Sequence, residues 1–291
     1  MVVSVVTSCS IAGWHEYGEH FLETFDKFWP RDVHLYFASE DQLPLPARLT
    51  SGRSLTFIDL NTDTQAVEFL KRAVTNHAAN GLNGKSVPTI RDKHHGYNFR
   101  MDAFRFSKKV FAIKMAADLV PNGRLIWLDA DVVTLVSVPH TFLQTLPPIG
   151  HAIAYLGRKP YHSECGFVGY NLDHATTRPF INEFYSTYIT DAVFKLKEWN
   201  DCFVFDHLRR IMSVPSYSIP HKSVTHPFVH SVLGNYMDHL KGKRKQRGAS
   251  PDHPKLRKHS LFESRPRTVI PRPRPKLGKT RRFGKVEQTP S

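Results

Sequence analysis

Two aspartates, Asp129 and Asp131, directly follow an apolar run in the segment GRLIWLDADVVTL (123–135). The run LIWL is typical of a buried strand, where a carboxylate without a partner would cost several kcal/mol. We therefore expect the pair at the exposed end of that strand. Two hard oxygen ligands at such a position suit Mg²⁺ or Mn²⁺, which keep bound waters and also take phosphate oxygens.

The residues alone leave two other interpretations of this pair open. One is a pair of carboxylates for acid–base catalysis, and the other is a solvated loop without a function. Asp-x-Asp is a common pattern, so its occurrence by itself decides little. The apolar strand that immediately precedes Asp129 favours the metal site.

The elements that must position the pair alternate between strands and helices. The sequence predicts strands at 2–7, 32–39, 55–60, 124–133, 151–157 and 165–171. It predicts helices at 21–30, 64–79, 101–120, after Pro179, and at 200–213 with Asn200 or Asp201 as the N-cap. This alternation is typical of an α/β domain, in which ligands bind at the carboxyl ends of the strands.

Length and composition are those of a globular protein. The 291 residues suffice for one large domain or two small ones with a substantial core. No apolar run approaches the roughly 20 residues of a membrane-spanning helix, and the start MVVSVVTSCS is interpreted as a strand because it lacks the basic region of a signal peptide. The three widely spaced cysteines, Cys9, Cys165 and Cys202, argue against a disulfide framework or structural zinc and favour a reducing, cytoplasmic location.

The net charge of +14 is concentrated at the carboxyl-terminal end. Of 40 Lys and Arg and 26 Asp and Glu, residues 241–291 hold 17 and 3, which leaves 23 of each in residues 1–240. From about Gly248 onward Pro, Arg, Lys and Ser dominate, so we expect 248–291 to be a basic tail that is disordered by itself. Such a tail suits a polyanionic partner.

The segment LIWLDADVV (125–133) resembles the metal-binding Asp-x-Asp motif of GT-A-fold glycosyltransferases. Four further segments resemble that family in the same order along the chain: SVVTSCS, FRMDAFRFSKKVFAI, SECGFVGYN and YMDHLKGKRK. Together they cover roughly residues 2–247, and the overall look is similar to small glycosyltransferases of bacteriophages and bacteria. One departure is that no Pro-Trp follows Lys243.

The resemblance implies a fold, a domain organisation and a reaction. The fold would be an α/β GT-A domain over 1–247, with a Rossmann-like nucleotide-sugar half at about 1–135, an acceptor half at about 136–247, and a mixed central sheet flanked by helices. The reaction would move a sugar from a nucleotide-diphosphate sugar, with UDP-sugar expected first, to an acceptor hydroxyl. Mn²⁺ or Mg²⁺ would neutralise the diphosphate.

The same resemblance assigns site residues. Asp129, Asp131 and His239 would hold the metal, although a surface histidine is the ordinary alternative for His239. The residues expected to contact the nucleotide sugar are Thr7, Ser8, Tyr17, Asp102, Arg105, Asp129, Ala130, Lys241 and Lys243. Ordinary alternatives are an intrahelical ion pair for Asp102 and Arg105 and the start of the tail for the two late lysines. Lys109, one turn after Arg105, is expected on a solvated helix face in preference to a functional role.

Glu164 and Asp201 are the candidates for catalysis on the acceptor side. An inverting enzyme needs a carboxylate that takes the acceptor's hydroxyl proton, and Asp201 is favoured for that role over Glu164. A helix N-cap is the alternative for Asp201. The neighbouring Trp199 could stack on a sugar or lie in the core.

Other function classes remain to be weighed against this one. For the acceptor, DNA carrying a hydroxylated base is favoured over a lipid-linked sugar at an anionic membrane, because no amphipathic anchor accompanies the charge; a glycan acceptor is a further alternative. A metal-dependent nucleotidyl- or phosphoryl-transferase is a second class, although no Walker-type loop occurs. A non-catalytic nucleic-acid-binding protein is a third, which would leave the aspartates without a role.

Overall fold

The computed structural model describes residues 1–44, 54–82 and 97–254. These residues belong to one unit, Met1–Lys258, and the second unit, His259–Ser291, lies outside them. The predicted disorder of the tail therefore falls, from residue 255 onward, outside the described residues. The sequence also predicts a loop rich in Gly and Asn at 80–98, and most of that loop lies outside the described residues as well.

The strands of the described chain follow the predicted order with small shifts. They are β1 (Val3–Ser8), β2 (His34–Ser39), β3 (Leu55–Asp59), β4 (Arg124–Leu128), β5 (Val132–Thr134), β6 (Ile153–Leu156), β7 (Glu164–Asn171), β8 (Ser216–Ser218) and β9 (Met237–His239). The predicted strand 124–133 is divided into β4 and β5 by the turn that carries the two aspartates. β8 and β9 were not predicted, because three residues are too few to show a periodic pattern.

The predicted helices are all present with shifted ends, whereas the helical turns over 11–18 and the short helices over 140–144 and 244–247 were not predicted. They are α1 (Ile11–Gly13), which continues through a π-helical turn (Trp14–Gly18) into α2 (Glu19–Phe28), then α3 (Thr64–Thr75), α4 (Ala103–Leu119), α5 (His140–Gln144), α6 (Thr177–Ile189), α7 (Asp201–Ile211) and α8 (Arg244–Arg247). α6 begins two residues before Pro179, which is tolerated in a first turn because its missing N–H would have no partner within the helix.

Seven strands form one mixed sheet in the order β3-β2-β1-β4-β7-β6-β8. β7 is antiparallel to both of its neighbours, while the other adjacent pairs are parallel. The carboxyl ends of β1, β4, β6 and β8 and the start of β7 consequently meet at one edge. This mixed sheet with helices on both faces confirms the predicted α/β fold class.

Side-chain alternation along the strands divides the core into two layers. In β1, Val5 faces the layer that contains Phe21 and Phe25 of α2, whereas Val6 faces the layer that contains Val110 and Phe111 of α4. Helices α3, α6 and α7 pack with α4 on that second face. Because both faces are covered, the central strands are apolar throughout, which is why the sequence identified them readily.

A small second sheet brings the late part of the chain to the two aspartates. β5 pairs antiparallel with β9, and Val132 lies opposite His239 in the register. Leu240 N donates to Asp131 O at 3.0 Å and extends this contact by one residue. Residues more than 100 positions apart therefore meet directly beyond the end of β4.

The packed part of the chain extends past the predicted start of the tail at residue 248. Asp238 accepts hydrogen bonds from Ser250 N (2.7 Å) and Ser250 Oγ (2.6 Å). His253 is fully buried, and its Nε2 lies 3.3 Å from Met237 O. Residues 248–254 are thus bound to β9, and the basic segment that begins at Lys241 is held against the body.

Candidate active site

The turn between β4 and β5 presents both aspartates at the shared edge of the sheet. Asp129 N donates to Gly166 O of β7 at 3.0 Å, and Val132 N closes the turn on Asp129 O at 3.0 Å. The Asp129 side chain is 26% exposed and that of Asp131 is 14% exposed. These carboxylates are partly accessible, as predicted for the end of a buried strand.

His239 lies between the two carboxylates. Its Nε2 is 2.9 Å from Asp131 Oδ1 and 3.4 Å from Asp129 Oδ2. One ligand atom from each of the three residues lies within 4.8 Å of the other two. The structure thus brings together the three residues that the sequence assigns to a metal shell.

The backbone of β7 makes room for the imidazole. A side chain at Gly166 would place its Cβ 2.2 Å from His239 Cε1, so only glycine fits there. On the same side, Glu164 Oε1 lies 3.3 Å from His239 Nδ1 without the geometry of a hydrogen bond. The start of β7 therefore packs against the Nδ1 and Cε1 side of the ring, while Nε2 faces the aspartates.

Three lysines surround this acidic group. Lys109 of α4 contacts Asp129 Oδ1 at 3.0 Å, and Lys245 contacts Asp131 Oδ2 at 3.0 Å. Lys241 pairs with Glu164. Each carboxylate of the group therefore has its own lysine, one from α4 and two from the late segment.

The charges in this group set the protonation states of its members. Burial alone would raise the pKa of Asp129, but Lys109 and His239 hold it well below its usual value. Glu164 is likewise buried, and Lys241 and His239 keep its pKa well below the usual value. Burial would lower the pKa of His239, but Asp131 raises it to about 10, so the imidazole is charged at neutral pH.

The donor set fits a divalent metal of the hard type. Asp129 Oδ2 and Asp131 Oδ1 both face His239 Nε2, and two carboxylates with one imidazole suit Mn²⁺ or Mg²⁺. The remaining oxygen of each aspartate is bound by a lysine, and Asp129 Oδ1 also accepts from Trp127 Nε1 at 2.7 Å. Those contacts orient the carboxylates so that one oxygen of each points to a common position.

The residues predicted for the amino-terminal part of the nucleotide site differ in access. Thr7 is fully buried, and its Oγ1 has no hydrogen-bond partner among the described residues. Ser8 is half-buried at the end of β1. The ring of Tyr17 packs under Lys245, whose Nζ lies 3.9 Å from the ring centroid. Burial and the nearby Asp131 raise the pKa of the Tyr17 hydroxyl.

Asp102 contacts the backbone of Arg105, and not its side chain as an intrahelical ion pair would. Asp102 is the N-cap of α4 and accepts from the backbone N–H of Arg105 at 2.9 Å, and from Tyr97 Oη at 2.6 Å. The Arg105 side chain is exposed. Ala130 is buried in the turn between the two aspartates. Asp102 thus has a structural role in starting the helix that carries Lys109.

The late lysines are not equivalent in the structure. Lys241 reaches Glu164, and Lys245 reaches Asp131. Lys243 is exposed and forms no ion pair within residues 1–44, 54–82 and 97–254. The short helix α8 turns Lys245 towards the aspartates, which is a position that the sequence spacing did not reveal.

Asp201 lies at the start of α7 but does not cap it. Asn200 is the cap, because its Oδ1 accepts from Phe203 N at 3.0 Å. Asp201 is 3% exposed and pairs through Oδ2 with Lys109 Nζ at 2.8 Å. Trp199 is half-buried, and its indole N–H donates to the carbonyl of Leu196 at 3.1 Å. Asp201 is therefore connected to Asp129 through Lys109.

Sequence reasoning missed two of the charged residues that meet here. Lys109 was assigned to a solvated face, although it lies one helical turn after Arg105 and its side chain is only 12% exposed. Lys245 was counted among the basic residues of 241–291, although it follows His239 by only six residues. In both cases the available signal was proximity in sequence to a predicted site residue.

No family model matches the sequence, and no curated protein matches it. The structure is similar to solved glycosyltransferase structures. GlyE of Streptococcus pneumoniae TIGR4 is 12% identical with a TM-score of 0.44, and the match covers 75% of this chain and 45% of GlyE. Mouse xyloside xylosyltransferase 1 is 13% identical with a TM-score of 0.47, covering 75% of this chain and 85% of that one.

A glycosyltransferase involved in the glycosylation of the major capsid of PBCV-1 is 14% identical, with a TM-score of 0.45 over 85% of this chain and 100% of that one. This chain spans less than half the length of GlyE. All three proteins are named as glycosyltransferases, the class that the sequence resembles. At these identities and TM-scores the likeness is remote, and it assigns no activity.

In the described parts of the chain, no helix combines the length and the apolar composition that crossing a membrane would require.

Proposed function

We propose that this protein is a metal-dependent glycosyltransferase that uses a nucleotide-diphosphate sugar, with UDP-sugar expected first. The observation that carries the proposal is the convergence of Asp129, Asp131 and His239 at the edge of the sheet. The surrounding lysines add the positive charge that a diphosphate needs. A metal held there would supply Lewis-acid neutralisation of the leaving diphosphate.

The donor side is assigned from the lysines and the elements beside the metal ligands. Lys245 lies with its ammonium on Asp131 and against the ring of Tyr17, so it can pass from the carboxylate to a phosphate oxygen. Lys241 holds Glu164 in place behind His239. Tyr17 and the exposed Arg105 flank the same position and are proposed to contact the nucleotide.

The acceptor is proposed to bind beside the second half of the sheet. A cavity of about 420 Å³ is lined by Pro220, His221 and Lys222, which follow β8, and by residues of the segment 229–235. Asp201 and Glu164 are each engaged by a lysine. Their contacts therefore support positioning roles for both carboxylates ahead of the predicted role of Asp201 as a base.

The central test is incubation with a panel of nucleotide sugars and Mn²⁺. We expect slow release of the nucleoside diphosphate, through hydrolysis of the donor, even without the acceptor. Release of nucleoside monophosphate and pyrophosphate would instead indicate a nucleotidyl-transferase and would overturn the proposal. The proposal would also be overturned if, with Mn²⁺ present, the dissociation constant of every donor were above about 1 mM.

Lys245→Ala should weaken donor binding about 10-fold to 100-fold, since a charge-assisted contact contributes about 1.5–3 kcal/mol. The matched control is Lys243→Ala. This variant also removes one lysine charge, two positions earlier in the chain, but from a side chain that is exposed. Titration calorimetry with UDP and Mn²⁺ measures both variants. Equal affinities in the two variants would remove Lys245 from the donor site.

Metal binding should release about one proton at pH 7. Asp131 raises the pKa of His239 to about 10, so the metal-free imidazole is charged and must lose its proton before Nε2 can bind a metal. Apparent Mn²⁺ affinity should therefore rise with pH, by about tenfold per pH unit below that pKa. Calorimetry in buffers of different ionisation enthalpy measures the proton count. A count near zero would show that His239 is not a ligand.

The basic tail stays a sequence-based prediction for the acceptor. Twelve Lys and Arg lie in 255–291, so a chain ending at Pro254 should lose most of its affinity for DNA at low salt. Donor hydrolysis should be unchanged, because residues 248–254 remain bound to β9. Electrophoretic mobility shift at several salt concentrations measures the effect. Equal DNA binding by both chains would exclude the tail as a DNA-binding segment.

A further inference from the structure

Two of the three cysteines meet at the inner side of the site. Cys165 is the second residue of β7, and Cys202 is the second residue of α7, which packs against that strand. One ligand atom from each of Cys165, Cys202 and Asp201 lies within 4.8 Å of the other two. The sequence gives no indication of this proximity, because the two cysteines are far apart in the chain.

The local geometry fixes all three side chains. The Asn200 cap sets the start of α7, and the pairing of Glu164 with Leu156 of β6 sets the start of β7. Cys165 is 3% exposed, whereas Cys202 is only half-buried and gives access from the surface. A ligand can therefore reach a group whose members are already held close together.

One cation, Lys109, lies beside the group. Lys109 Nζ donates to Cys165 O at 2.6 Å and pairs with Asp201 Oδ2 at 2.8 Å. The neighbouring Cys202 thiol and burial raise the pKa of Cys165 well above its usual value, so this thiol keeps its proton until a metal ion displaces it. A carboxylate can bind a metal through one oxygen while the other stays on a lysine. A divalent ion that replaced two thiol protons would leave the group close to charge balance.

We propose that Cys165, Asp201 and Cys202 form a second metal site, which takes a thiophilic divalent cation such as Zn²⁺. Binding converts two thiols to metal thiolates and releases two protons, with an Asp201 oxygen as the third protein ligand and water in the fourth position. The sulfur ligands distinguish this site from that of Asp129, Asp131 and His239, whose oxygen-rich set suits Mn²⁺ or Mg²⁺.

The second site would control the first through Lys109. Lys109 bridges Asp201 and Asp129, so a metal on the second oxygen of Asp201 withdraws negative charge from the Asp201–Lys109 pair and thereby alters the charge balance at Asp129. Zn²⁺ should therefore inhibit turnover at concentrations where Mn²⁺ supports it. This consequence rests on the proposed function, whereas the binding of the metal does not.

The test is a titration of the full chain with Cd²⁺, in the presence of a non-thiol reductant, followed by ultraviolet absorption. Cadmium thiolates give a charge-transfer band, and we expect it to saturate at about one equivalent. Cys202→Ser should weaken this binding at least tenfold, while Cys9→Ser, a matched control at a distant thiol, should leave it unchanged. Asp131→Asn should keep the band, since it affects only the other metal site.

Absence of the band, or a band of equal affinity in Cys202→Ser, would overturn the proposal. These readings do not depend on glycosyl transfer, so they separate a failure of the second site from a failure of the proposed function. If the native chain hydrolyses the donor, the Zn²⁺ concentration needed for inhibition should be at least tenfold higher in Cys202→Ser. Turnover of that variant without Zn²⁺ should be unchanged. Inhibition of equal strength in that variant would overturn the link between the two sites.

Discussion

In the Asp131→Asn variant, we expect Mn²⁺ binding to weaken by about 100-fold and donor turnover to fall by about 100-fold to 1,000-fold. Metal neutralisation of a leaving diphosphate contributes several kcal/mol, and each 1.36 kcal/mol is a factor of ten in rate. Asparagine keeps the shape of the side chain but removes the charge that faces His239 Nε2 at 2.9 Å. The loss therefore reports on charge and ligation.

The fold should survive this substitution, because Asp131 is partly exposed and the turn is held by backbone hydrogen bonds from β7 and β9. Asp118→Asn is a matched control, since that residue is an exposed aspartate paired with Lys114 on the outer face of α4. Mn²⁺ affinity measured by calorimetry and donor hydrolysis should both be unchanged in the control. A variant at Asp131 that bound Mn²⁺ within threefold of the native affinity would refute the metal assignment.

In the Lys109→Met variant, we expect a loss of about 3–5 kcal/mol in the free energy of unfolding, together with loss of turnover. Removing one partner of a buried ion pair leaves uncompensated charge, which is the costly outcome. Here Asp129 and Asp201 would both lose their cation, and the backbone carbonyl of Cys165 would lose its donor. Denaturation in urea measures the change.

Lys108→Met is the matched control for this variant. Lys108 is the preceding residue on the same helix, and it pairs with Glu40 at a partly exposed position, so a loss below about 1 kcal/mol is expected. Adding Asp201→Asn to Lys109→Met removes one of the stranded charges and should recover part of the stability. Equal losses in Lys108→Met and Lys109→Met would show that the buried network does not stabilise the fold.

These two variants test one site residue that the sequence identified, Asp131, and one that it did not, Lys109. Asp131 was identified from sequence because a charged pair after an apolar strand is a local conflict that requires a partner. Lys109 was not identified, because a helix with charged residues has the same pattern whether its lysine faces solvent or a neighbouring strand. Only the packing of α4 against β1 and α7 shows which of these holds.

The late segment shows the same limit at longer range. His239 was linked to the aspartates only through a resemblance, since nothing in its own neighbourhood requires a contact 108 residues away. Lys245 was missed because charge counting along the chain cannot separate a lysine that neutralises a buried carboxylate from one in a solvated tail. The contact of Lys245 with Asp131 depends on α8 and on the β5–β9 pairing.

The sequence by itself determined the α/β class and the order of the main strands and helices, and it predicted chemistry at the exposed end of β4. It could do so because strand burial, helix periodicity and capping are local and leave a pattern over a few residues. The tertiary structure alone decided which charges meet there: His239 against both aspartates, Lys109 between Asp129 and Asp201, and Cys165 against Cys202. Those contacts join segments distant in the chain, and their energies depend on burial and distance, which a linear pattern does not record.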